Sequence, residues 1–94
     1  MDFLREPLTK KEIKEKMDEN GYIVGNVLVD TDDMIDNDME GFLDILSERL
    51  TGTPCLMDIN YRIVGIVGSE DKEHAGLIIM EVQGDTTMIV DEEN

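Results

Sequence analysis

The sequence predicts a single small α+β domain over residues 1–94, with element order α-β-α-β-β-β and a four-stranded, largely antiparallel sheet carrying two helices on one face. Three observations carry that expectation. Apolar residues recur at helical spacing in two segments and alternate in others. The last three β-rich runs are joined by short, turn-rich connections, as in a meander. A chain of 94 residues, 40% hydrophobic and 33% charged, is sufficient for one folded core but not for two.

The first helix begins at Thr9. With Glu12 this threonine matches a capping box, in which hydroxyl and carboxylate each accept from the other residue's amide. The helix is expected from about Lys10 to Asn20. Ile13 and Met17 face the core, lysines interleave with Glu12 and Glu15 outside, and Gly21 provides a left-handed stop. Tyr22 to Val29 reads as a strand apolar on both faces, hence central or covered. Asp30-Thr31-Asp32-Asp33 is expected to break regular structure, and Asp36 or Asp38 to cap the second helix, residues 37–51. Its stripe of Met39, Phe42, Leu43, Leu46 and Leu50 ends before Gly52 and Pro54.

Leu56 to Val67 alternates as a half-buried strand, with Met57, Ile59, Tyr61, Ile63 and Val67 on the core face beneath Phe42, Leu43, Leu46 and Leu50. A turn at Gly68–Glu73 leads to a strand from Gly76 to Gln83, and Gly84-Asp85 to a fourth from Thr86 to Val90. The acidic end, residues 91–94, is expected to fray.

Charge restricts the partners. The formal net charge is −15: residues 1–16 carry five basic and four acidic side chains, the remainder three basic and 19 acidic ones. That field repels nucleic acid and anionic membrane and attracts basic proteins and divalent cations. Cys55 is the only cysteine, so no intrachain disulfide forms. The start MDFLREPLTKKE lacks an apolar signal core, and no run of apolar residues approaches membrane-spanning length. A soluble, cytoplasmic protein is expected.

The most informative pattern is acidic. Asp36, Glu40, Asp44 and Glu48 recur at four-residue intervals, apart from the apolar stripe, and on a helix would stand about 6 Å apart along the axis. Like charges at this spacing oppose helix formation by roughly 0.2–0.5 kcal/mol per pair. One reading is a solvated face. Another is a mimic of a nucleic-acid backbone that occupies a basic groove, extended by Asp30, Asp32, Asp33 and Asp38. Met34 and Ile35 interrupt the acidic loop as an apolar pair that either anchors a partner or staples the helix.

Asp36-Asn37-Asp38-Met39-Glu40-Gly41-Phe42-Leu43-Asp44 resembles the start of an EF-hand loop, with oxygen ligands at loop positions 1, 3, 5 and 9 and glycine at 6. The resemblance implies calcium and covers these nine residues. It departs from the pattern at loop position 12, where Ser47 replaces the bidentate glutamate, and in the strand-like segment preceding it. Cys55 and His74 offer the one nucleophile–base pair the composition allows, but both sit where ordinary packing or solvent exposure is the default. Arg62 is expected to pair with an acid across strands, such as Glu81.

No P-loop or dinucleotide fingerprint is present. The expected function is therefore a non-catalytic protein-binding module without cofactor or metal. The module is expected to act as an acidic inhibitor or nucleic-acid mimic that occupies a basic groove of a nucleic-acid-binding protein such as a nuclease or phage-defence complex, by class analogy with anti-restriction and anti-CRISPR proteins of phages and mobile elements. Its partner-binding residues are Asp32, Asp33, Met34, Ile35, Asp36, Glu40, Asp44 and Glu48. A small divalent-metal-binding protein and a structural homodimer are the alternatives.

Overall fold

In the computed structural model, which describes residues 2–90, helix α1 (Lys10–Lys16) starts as the capping box dictates. Thr9 Oγ1 accepts from the Glu12 amide at 3.1 Å, and Glu12 Oε1 accepts from the Thr9 amide at 3.0 Å. The amide bond and the hydroxyl of Thr9 hold the Glu12 carboxyl below its ordinary pKa. The helix ends at Lys16 rather than Asn20 because Asp18 captures the next turn. Its carboxylate accepts from the Asn20 and Tyr22 amides at 2.8 and 3.0 Å, and Gly21 takes φ 83°.

Strand β1 (Tyr22–Val29) spans its expected residues. The acidic run that follows is not a break but a short helix, α2 (Thr31–Ile35), and after a turn comes α3 (Met39–Thr51), stopped at Gly52 with φ 80°. Strands β2 (Met57–Ile66) and β3 (Ile78–Asp85) form a hairpin, and β3 also pairs with β1. The described residues form an antiparallel sheet of three strands, in the order β1-β3-β2, not four. The expected fourth strand is instead α4 (Thr87–Val90). Asp85 Oδ1 accepts from the Thr87 amide and hydroxyl at 2.9 and 2.6 Å, while the Thr86 hydroxyl and amide donate to the Gly21 carbonyl at 2.7 and 2.8 Å. Together these bonds turn the chain off the sheet, overriding the β propensity of Thr-Thr-Met-Ile-Val. Residues 91–94, expected to fray, lie outside the described residues.

The core lies between α3 and the sheet and continues toward α1 and α4. Phe42, Leu46 and Leu50 meet Ile23, Val27, Val29, Met80 and Val82, with Leu8, Ile13, Leu56 and Ile89 closing the ends. A methyl group on Gly25 would stand 2.8 Å from Leu50 Cδ1, so the absence of a side chain lets α3 settle on β1. The β2 side departs from expectation. Register shifts fall between Met57 and Asn60 and between Ile63 and Gly65. The first puts Met57 opposite Asp85, on the other face from Tyr61, which lies opposite Val82. Tyr61 and Ile63 keep the core-side face but remain exposed, as does Met57, whereas Ile59 packs against the core. Arg62 Nε meets Glu81 Oε1 at 2.9 Å across the strands, as expected. No described helix is long and apolar enough to cross a membrane.

Candidate functional site

The acidic residues of α2 and α3 fall into two groups. The first is committed to structure. Asp30 caps α2 by accepting from the Asp32 amide at 3.0 Å, and Asp33 returns the bond by accepting from the Asp30 amide at 2.9 Å. Asp33 also meets Arg49 Nη1 at 3.0 Å, and the same guanidinium donates to the Leu28 carbonyl at 2.8 Å. Burial pushes the Asp33 carboxyl up, but the Arg49 bond and the Asp30 amide outweigh it and hold the pKa below the ordinary value. Asp38 caps α3 by accepting from the Gly41 amide at 2.8 Å. Asp33, expected at the partner surface, is thus an internal bracket between α2, β1 and α3.

The second group faces water. Asp32, Asp36, Glu40, Asp44 and Glu48 are exposed, and among the described residues none of these side chains has a hydrogen bond or ion pair. Glu40, Asp44 and Glu48 lie on the helix face opposite Phe42, Leu46 and Leu50, because those apolar residues dictate which way α3 turns. Asp36 is displaced from the expected stripe. It is the C-cap of α2, so three carboxylates stand in file on α3 with the fourth set back across the turn. Met34 and Ile35 are exposed beside it.

The segment resembling a calcium loop does not close around a point. Its first residue ends one helix, its third caps the next, and the residues from Met39 onward are helical, so Glu40 and Asp44 project outward. No group of three or more acidic, histidine or cysteine side chains is gathered for a metal ion among the described residues.

A second feature escaped sequence reasoning. An open cleft of about 670 Å³ lies between the N-terminal segment, β1 and the α2–α3 bracket, lined in part by Arg5, Asp33, Arg49 and His74. Its cations are occupied. Arg5 stacks over Phe3 at 4.8 Å, Phe3 meets the His74 ring edge-on at 5.7 Å, and His74 Nδ1 lies 3.2 Å from Asp71 Oδ2. His74 is consequently half-buried rather than solvated, and Asp71 titrates low. Burial raises its pKa, but the side-chain and backbone bonds of His74 prevail. Nothing in the spacing of Phe3, Arg5 and His74 announces this cluster. Cys55 is half-buried at the margin of the core. No family model matches this chain, and it is similar to no curated protein and to no solved structure.

Proposed function

We propose that this protein is a non-catalytic binding module whose α2–α3 surface occupies a basic groove of a nucleic-acid-binding protein and thereby inhibits it. The observation that carries this reading is the partition of the carboxylates. Asp30, Asp33 and Asp38 are spent on caps and on Arg49, while the side chains of Asp36, Glu40, Asp44 and Glu48 stand exposed and make no hydrogen bond or ion pair among the described residues. Glu40, in the first turn of α3, is favoured by the helix dipole, but along the file like charges at four-residue spacing cost about 0.2–0.5 kcal/mol per pair. A partner's lysines and arginines would relieve that cost, and a rise of about 6 Å per step presents charge at intervals that a phosphate-binding groove can accept. Small size and strong acidity fit the inhibitors by which phages and mobile elements disarm nucleases and defence complexes.

The variant D36N/E40Q/D44N/E48Q tests the proposal. Its stability should equal or slightly exceed the parent's, by roughly 0.2–0.5 kcal/mol for each relieved pair. The parent should displace a labelled single-stranded oligonucleotide from its target protein, with an affinity that falls steeply with salt, and the variant should compete poorly, chiefly through slower association. Unchanged competition and salt dependence would reduce the file to a solvated helix face.

A further inference from the structure

Burial across the sheet stops abruptly at β2. On the face beneath α3, Val27, Met80 and Ile63 stand in register across the three strands, with exposures of 1%, 0% and 57%. The next rank repeats the step: Val29 is buried at 0%, Ile78 is half-buried, and Ile66 is 66% exposed. A helix is about 10 Å across and strands are spaced by about 4.8 Å, so α3 covers two strands and meets the third at Tyr61 while leaving Ile63 and Ile66 exposed. Met39, 62% exposed, overhangs the gap from the first turn of α3, with its sulfur 3.5 Å from the Tyr61 hydroxyl. Tyr61 is held edge-on against Phe42 at 5.5 Å, which makes one wall of a shallow apolar trough. Contiguous exposed apolar surface of this kind marks an interaction site.

Three occupants compete for it. A partner strand added to β2 would need a regular edge, yet the two register shifts leave no unbroken pairing longer than Asn60 to Ile63. A second copy of the chain would set Asp36, Asp38 and Glu40, which flank Met39 in sequence, near their own counterparts in a protein of net charge −15. The geometry points to the third: a cationic amphipathic helix of a partner protein. Its apolar stripe seats on Tyr61, Ile63 and Ile66 beside α3 and completes the second layer, while its lysines and arginines meet Asp36 and Glu40. This rests on the reading that the partner is basic, and adds the element by which it docks.

Two synthetic helical peptides of equal length and positive charge test the assignment, one with leucines at helical spacing and one with serines in their place. Amide shifts of the isotope-labelled protein map where each binds. The leucine peptide should bind about tenfold tighter or better, a difference of about 1.4 kcal/mol, and should move the signals of Tyr61, Ile63 and Ile66. Substituting Ile63→Ser and Ile66→Ser, both exposed, should erase the difference while leaving the fold intact. Equal binding of both peptides along α3 overturns the apolar trough but retains the acidic surface. Binding of neither peptide overturns both readings. Leucine-dependent shifts confined to another face, or a sedimenting dimer in which β2 is protected, also overturns the trough.

Discussion

The two outer strands of this sheet are both rich in Ile, Val and Tyr and are opposite in fate. β1 pairs with β3 in unbroken register over its whole length, lies beneath α3, and has its outer edge engaged by the N-terminal segment. There the Leu4 amide donates to the Asn26 carbonyl at 2.8 Å, and Asn26 Nδ2 donates to the Asp2 carbonyl at 2.9 Å. β2 pairs with the same central strand but is interrupted twice, has no helix above Ile63 and Ile66 among the described residues, and leaves Met57, Tyr61, Ile63 and Ile66 exposed. The difference teaches that alternation decides which face a side chain occupies, whereas burial is decided by where the covering helix lands.

The sharpest way to test that contrast is to truncate one residue on each side of it. Leu46→Ala, on the sheet-facing side of α3 at zero exposure, should cost about 2–5 kcal/mol in chemical denaturation, whereas Ile63→Ser should stay within about 0.5 kcal/mol. Comparable losses at the two positions would mean that β2 is covered in solution. A smaller effect is expected where α3 and β2 are tied together. The buried Ser47 hydroxyl donates to the Thr53 carbonyl at 2.6 Å and accepts from the Leu56 amide at 3.0 Å, just ahead of β2. Ser47→Ala would leave that buried amide without its acceptor, at about 1–3 kcal/mol. Amide exchange at Leu56 should quicken well before that at Val27, and equal acceleration at both would dismiss the tie as local.

Acid should open the covered side first. Asp33 and Asp71 have folded pKa values below their unfolded ones. Their contributions are therefore complete above about pH 4 and are lost as pH falls through the lower folded values. Both serve the β1 side, one through Arg49 and the other through His74 and Phe3. Resonances of Leu4, Leu28 and His74 should shift as pH falls below about 4 while those of Tyr61 and Ile63 hold still. Simultaneous movement of β2 would show that the two sides are not independent.

Much of this contrast could be read from the chain, and the rest has identifiable physical causes. β1, α3, the Thr9 capping box and the Arg62–Glu81 pair follow from propensity, period and charge. The side of the sheet that Met57 occupies did not, because the first bulge involves Asp58, which takes φ 52° without the glycine that usually signals such a kink. α2 was hidden because its capping box uses aspartates at both positions instead of Ser/Thr with Glu. At the candidate surface, the carboxylates themselves are plain in the sequence, but their division of labour is not. Asp32 and Asp33 are chemically identical neighbours, and only the approach of Arg49 from α3 makes one of them structural.

The strand order carries a consequence for how the molecule comes into being. The central strand, β3, is the last of the three to be synthesised, and β1 has no strand partner until residues 78–85 are present. The β2–β3 hairpin is close in sequence and can form early, whereas β1 must be recruited over a long intervening loop whose closure costs entropy before it returns contacts. Folding should therefore be limited by the docking of β1, and it should run in the slower range of mixed α/β domains. A chain cut after Leu77 would keep both halves of the future core, Val27 with Leu46 and Leu50, with no central strand to hold them together.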